Sequence, residues 1–212
     1  MTPQQFSQQT ESLCRRAPVV PVLVVQDTAH AAPLARALVK GGLPALEVTL
    51  RTPAALDVIR AMADVDGGIV GAGTLLTPED VRAAKHAGAT FGVSPGATDR
   101  ILDAAEAEDL PILPGAATAS EAMRLLERGY TVQKFFPAEA SGGANMLKSL
   151  SSPLPQIRFC PTGGVSLENA RDYLSLPNVL CVGGSWVAPT DMVKQGNWDG
   201  ITKLASEAAA LR

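Results

Sequence analysis

The chain has 212 residues, enough for one full-sized core, and no stretch of biased composition divides it, so it reads as a single domain over residues 1–212. Hydrophobic residues make up 46%, charged residues 18% and aromatics 4%, with a formal net charge of -3. That excludes the basic stripe and the stacking surface of a nucleic-acid binder and suits an Ala/Val/Leu-rich α/β protein.

Met1 to Thr10 is polar and Gln-rich, without the apolar core of a secretion signal, and no apolar run approaches the length a bilayer requires. A cytoplasmic location and no membrane partner are expected. Thr2 as cap and Pro3 at the first helical position predict a helix within residues 1–17 that covers the bottom of the domain. Arg15 and Arg16 read as its solvated end. Cys14, Cys160 and Cys181 are odd in number and lack CxxC spacing, so buried, reduced thiols are expected rather than a zinc site or a disulfide framework.

From there on, short Val/Ile/Leu-rich runs alternate with longer stretches of helical spacing. The strand candidates lie near 19–25, 44–50, 69–73, 90–93, 111–114, 131–136, 157–160 and 179–182, eight in all. Thr52-Pro53 and Thr77-Pro78 mark helix starts, Thr118 with Glu121 forms a capping box, and Ser166 precedes another helix. Gly41, Gly88 and Gly129 stand where helices should turn back. Eight βα units in one domain favour a closed (β/α)8 TIM barrel with an extra N-terminal helix, although the length falls below the usual ~250 residues. A doubly wound sheet is disfavoured because no GxGxxG opens a helix after the first strand.

In such a barrel alternate strand residues point inward, and active sites form where strands end. In the second strand Leu46, Val48 and Leu50 share one face, while Glu47, Thr49 and Arg51 share the other and should point inward. In the sixth, Lys134 shares a face with Val132 and Phe136. Lys40, Lys85, Lys148, Lys194 and Lys203 fall in helices or at their ends, which leaves Lys134 as the one lysine in a predicted strand. Desolvation of an amine there disfavours its charged form and frees the neutral nucleophile to attack a carbonyl. Both strands are even-numbered, so Glu47 and Lys134 can share a layer. A buried Lys134–Glu47 ion pair, or a lysine that only binds phosphate, remains the plain alternative for these residues, as a surface salt bridge does for Arg51.

Glycine pairs follow the last two strands, Gly163-Gly164 after Pro161-Thr162, and Gly183-Gly184 before Ser185. A barrel's usual phosphate site lies in these two loops, so a phosphorylated ligand is expected, although glycines also serve tight turns alone. His30 and His86 lie on separate predicted helices. Neither a His/carboxylate metal site nor a Ser/His/Asp triad is apparent.

The motifs Leu46-Glu47-Val48-Thr49-Leu50-Arg51, Gly71-Ala72-Gly73-Thr74, Ser94-Pro95-Gly96, Lys134-Phe135-Phe136-Pro137-Ala138-Glu139, Phe159-Cys160-Pro161-Thr162-Gly163-Gly164 and Gly183-Gly184-Ser185-Trp186 resemble those of one family along nearly the whole chain. The family is that of the class I 2-keto-3-deoxy-6-phosphogluconate (KDPG) aldolases, which also act on 4-hydroxy-2-oxoglutarate. The resemblance implies that Lys134 forms a Schiff base and Glu47 is the general acid/base. Arg51 and Thr74 would hold the substrate carboxylate, and Pro95, Phe136 and Thr162 would line the pocket. Gly163, Gly164, Gly184 and Ser185 would hold the phosphate. It further implies a small phosphorylated keto acid as substrate, no metal or other cofactor, and a homotrimer. A galactonate-type aldolase, a non-covalent phosphosugar isomerase or epimerase, and a non-catalytic phosphate-binding barrel are the competing readings.

Overall fold

In the computed structural model, which describes residues 1–211, helices and parallel strands alternate along the chain. The order is α1 (Pro3–Cys14), β1 (Val19–Leu23), a 3-10 turn (Thr28–His30), α2 (Ala31–Lys40), β2 (Ala45–Thr49), α3 (Ala55–Ala63), β3 (Ile69–Gly73), α4 (Pro78–His86), β4 (Phe91–Val93) and α5 (Asp99–Ala107). It continues with β5 (Ile112–Leu113), β6 (Gly115–Ala116), α6 (Ala119–Arg128), β7 (Val132–Phe135), a 3-10 turn (Glu139–Ser141), α7 (Gly143–Leu150), β8 (Arg158–Pro161), α8 (Ala170–Leu174), β9 (Val182–Gly184), α9 (Thr190–Lys194) and α10 (Trp198–Ala209).

The strands form a curled parallel sheet of six, in the order β5-β4-β3-β2-β1-β9, and a second sheet of three, β6-β7-β8. Two seams join them. The single fifth strand expected over 111–114 is interrupted at Pro114, giving β5 and β6; the Pro114 carbonyl accepts from Lys134 N–H at 2.8 Å. Proline has no N–H to donate, so an unbroken ladder cannot run through it. At the other seam β8 meets the last strand through two isolated bridges, Phe159↔Val179 and Thr162↔Gly183. The last strand is thus displaced from the expected 179–182 to Val182–Gly184.

Two-residue alternation sorts the strand side chains. Leu46, Val48, Val70, Ala72, Phe135 and Phe159 face the helices and belong to the larger apolar core. Each Leu or Val withdrawn from water in this way contributes roughly 1.5–3 kcal/mol. Val20, Ala45, Phe91, Val93, Val132 and Cys160 form a second, inner cluster, which Cys14 of α1 joins. The first helix therefore inserts its C-terminal end among the strand side chains, and Ser7 ties it to the start of β7 by donating to Gly129 O and accepting from Thr131 N–H.

Local capping signals translate directly where the side chain has no rival partner. Thr2 with Gln5, Thr77 with Asp80 and Thr118 with Glu121 all form capping boxes. Thr52 does not cap: its hydroxyl donates to Val25 O at 2.7 Å, and α3 starts at Ala55 without a side-chain cap. Ser166 likewise lies upstream of α8, whose N-cap is Asn169. Gly88 and Gly129 take the left-handed turn at helix ends, but after α2 the positive φ falls on Gly42 rather than Gly41. Gly41 is held instead by close packing, since a Cβ there would lie 2.3 Å from Ala205 Cβ of α10.

Candidate active site

Lys134 and Glu47 meet inside the curled sheets. Lys134 Nζ stands 3.2 Å from Glu47 Oε1, with side-chain exposures of 5% and 3%. The backbone explains the encounter. Lys134 is paired with Gly115 on one side and Cys160 on the other, while Glu47 is paired with Val22 and Gly71. Room for the carboxylate comes from Gly73, where a Cβ would lie 2.3 Å from Glu47 Oε1. A glycine in a strand often marks such close approach, and that signal in the Gly71-Ala72-Gly73 run was available in the sequence.

Around the pair, the Phe136 ring centroid lies 5.4 Å from Lys134 Nζ, close enough for a cation–π contact. Beneath it are three fully buried thiols, Cys14, Cys160 and Cys181, all reduced. Hydrogen bonds from Cys14 and Cys181 hold the Cys160 thiol well below its usual range, and the nearby Lys134 charge acts in the same direction. Thr162, on the inward face beyond Cys160, is 7% exposed, and its hydroxyl lies beside the Cys160 thiol and helps to lower its pKa. Gly183 gives the hydroxyl space, since a Cβ there would lie 2.2 Å from Thr162 Oγ1.

Arg51 departs from the expected inward direction. β2 ends at Thr49, whose hydroxyl turns to Leu23 O at 2.8 Å, and Arg51 lies beyond the strand end, exposed at the rim. Its Nε donates to Thr74 Oγ1 at 3.2 Å. Thr74 has φ 61, a left-handed conformation that a β-branched residue adopts only under constraint. Strain of this kind concentrates where a side chain must be aimed, and here it brings the hydroxyl to the guanidinium.

Pro95 and Phe136 line a cavity of about 630 Å³ that runs outward between α5 and α6 past Asp99 and Arg128. Neither Lys134 nor Glu47 lines it. The cavity adjoins the pair and does not contain it. Gly163 and Gly164, with φ 98 and φ 80, form the turn after β8, and the Thr162↔Gly183 bridge sets that turn beside Gly184 and Ser185. Trp186 packs so closely on Gly184 that a Cβ there would lie 1.8 Å from its ring.

The structure thus brings together Lys134, Glu47, Phe136 and Thr162 inside, and Arg51 with Thr74 at the rim. Two glycine turns adjoin them. Glu139, which the sequence offers only as the end of a family motif, and Tyr173, which it does not single out, join the post-β8 turn from outside. Their 34-residue separation leaves no local pattern to read. Among the described residues no group of three or more His, Cys, Asp or Glu side chains is arranged to hold a metal, and no helix is long and apolar enough to cross a membrane.

Comparison with known proteins bears on this arrangement. Residues 10–204 match the model of a family described as KDPG and KHG aldolase. The KHG/KDPG aldolase of Escherichia coli strain K12 is 52% identical over 199 residues, 93% of each chain. A crystal structure of the 2-keto-3-deoxy-6-phosphogluconate aldolase of Zymomonas mobilis ZM4 with 3-phosphoglycerate superposes with a TM-score of 0.93 at 48% identity, covering 97% of both chains. The KDPG aldolase of Legionella pneumophila, with pyruvate captured at low pH as a covalent carbinolamine intermediate, gives a TM-score of 0.90 at 44% identity, covering 94% of this chain and 98% of that one.

Proposed function

This chain belongs to the KDPG and KHG aldolase family, and on that premise we propose that it cleaves 2-keto-3-deoxy-6-phosphogluconate to pyruvate and glyceraldehyde 3-phosphate, and 4-hydroxy-2-oxoglutarate to pyruvate and glyoxylate. The observation that carries the mechanism is the buried Lys134–Glu47 contact of 3.2 Å. At that distance Glu47 can exchange protons with the amine and with groups that react beside it. The carbinolamine captured in the Legionella relative supports the same amine chemistry.

In the proposed cycle Lys134 Nζ, once Glu47 has taken a proton from it, attacks C2 of the keto acid to give a carbinolamine; Glu47 returns that proton to the departing hydroxyl, water leaves, and an iminium stands beside a Glu47 carboxylate. Glu47 takes the proton of the C4 hydroxyl; the C3–C4 bond breaks, its electron pair moves into the iminium, and the aldehyde leaves. Protonation of the resulting enamine at C3 and hydrolysis release pyruvate and restore the amine. No metal has a part in this cycle. Arg51 and Thr74 hold the carboxylate at the rim, Pro95, Phe136 and Thr162 enclose the pyruvyl group, and Gly163, Gly164, Gly184 and Ser185 receive the phosphate at the two turns.

We further propose one closed (β/α)8 barrel, for which the Pro114 and Thr162↔Gly183 seams speak, as a single domain with α1 across its lower end, assembled as a cytoplasmic homotrimer.

A coupled assay of pyruvate release tests the activity, with the gluconate-type and galactonate-type sugar acid phosphates compared side by side. The first is expected to be turned over preferentially; no pyruvate from either would defeat the proposal. Gly73→Ala tests the geometry. Its added methyl displaces the Glu47 carboxylate, and a shift of order 1 Å at a reacting group costs roughly 100-fold in kcat. Trapping of pyruvate on Lys134 by borohydride should persist in this variant; full activity would show that Glu47 need not stay where it is.

A further inference from the structure

The segment that leaves β7 is fastened to the glycine turn after β8 by backbone and side chain together. Ala138 N–H donates to Thr162 O at 2.8 Å, and Glu139 N–H to Gly163 O at 3.0 Å. The Glu139 side chain then lies over Gly164: a Cβ there would lie 2.6 Å from Glu139 Cγ and 2.7 Å from its Cβ. At its far end the carboxylate accepts a hydrogen bond from the phenol of Tyr173, a residue of α8 that is 1% exposed. From the same region Asn169 Nδ2 donates to Gly164 O at 3.1 Å. The turn is therefore gripped from two sides, by the exit of the lysine strand and by the start of α8.

A carboxylate is an uneasy neighbour for a loop that receives an anion, because like charges repel across a few ångströms. The arrangement manages this. Tyr173 satisfies one carboxylate oxygen and fixes the direction of the side chain. Burial, reinforced by the adjacent carboxylate, raises the phenol above its usual range, so it stays a donor through neutral pH.

We propose that Glu139 and Tyr173 are a positioning pair that sets the Gly163–Gly164 turn for a phosphate monoester while leaving the pyruvyl end untouched. This rests on the phosphate-loop reading above. The pair touches neither the amine nor the reacting carbons. Its effect belongs in the affinity for the phosphorylated end of the substrate, with no change in the formation of the lysine adduct.

Steady-state kinetics on Glu139→Ala, Tyr173→Phe and Glu139→Gln separate this role from simple stabilisation. For the first two, KM for the phosphorylated substrate and Ki for inorganic phosphate should rise about tenfold, the scale expected when a loop's support is loosened. Borohydride trapping of pyruvate, which involves no phosphate, should proceed as in the wild type. Glu139→Gln keeps the acceptor for Tyr173 and the packing over Gly164, so it should restore phosphate affinity. Equal losses in trapping and in phosphate affinity, or no change in either, would overturn the pairing. A wild-type enzyme that is insensitive to inorganic phosphate and cleaves phosphorylated and unphosphorylated keto acids equally well would instead remove the phosphate-loop reading, and the inference with it.

Discussion

Lys134→Met is expected to lower pyruvate release by at least about 10⁴-fold, because the side chain that would carry the covalent bond is gone and no neighbour can replace it. The other lysines lie in helices or at their ends, away from the inner face. Met has similar length, so the change leaves little cavity. It does leave Glu47, 3% exposed, without its partner. Breaking one side of a buried pair costs about 3–5 kcal/mol when the remaining charge persists, and less when the carboxylate takes up a proton. A chain of this size then melts several degrees lower and still folds, roughly 2–4 °C per kcal/mol. Circular dichroism checks the fold, and borohydride with pyruvate followed by mass spectrometry checks the adduct. The double variant Lys134→Met/Glu47→Leu should recover much of the stability and none of the activity. Residual turnover above about 1% in Lys134→Met would place the nucleophile elsewhere.

Glu47→Gln separates covalent bond formation from proton transfer. The amide keeps the size of the carboxylate beside Gly73 and loses its basicity. Positioned general acid–base groups contribute about 10²–10⁴-fold, so kcat should fall by roughly 10³-fold. Pyruvate remains detectably trappable on Lys134, although more slowly, because Gln cannot take the amine proton and solvent must take it instead. Comparing the amplitude of trapping with steady-state turnover reads the two steps apart. Turnover equal to the wild type would exclude Glu47 from the proton path.

How far these expectations could be read in advance follows from where each interaction closes. Lys134 and Glu47 were legible because strand alternation has a period of two, so a single charged residue on an inward face is visible from its immediate neighbours. The capping boxes at Thr2, Thr77 and Thr118 were legible for a similar reason, since each closes within three residues. Thr52 misled because its hydroxyl finds Val25, 27 residues upstream, before it can cap. Arg51 misled because alternation was extended past Thr49, where the strand stops and the chain turns to the rim. The split at Pro114 has its own sign in the sequence, a proline within a predicted strand. Glu139 with Tyr173 shows the opposite limit. Each residue alone is an unremarkable side chain, and their meeting depends on how the β7 exit and α8 are brought to one turn.

The three thiols below Lys134 have a consequence for how the folded chain can be watched. Cys14 comes from α1, Cys160 from β8 and Cys181 from the approach to β9, and each is at most 2% exposed. An alkylating reagent can reach them only when the first helix lifts or the strands part, so the rate of modification measures how often the floor of the molecule opens, in the same way as exchange of a protected amide. Because the chain has these 3 cysteines and no others, the signal has no surface background. A single cysteine introduced on an exposed helix would then serve as an independent handle for attachment, distinguishable from the native thiols by speed of reaction alone.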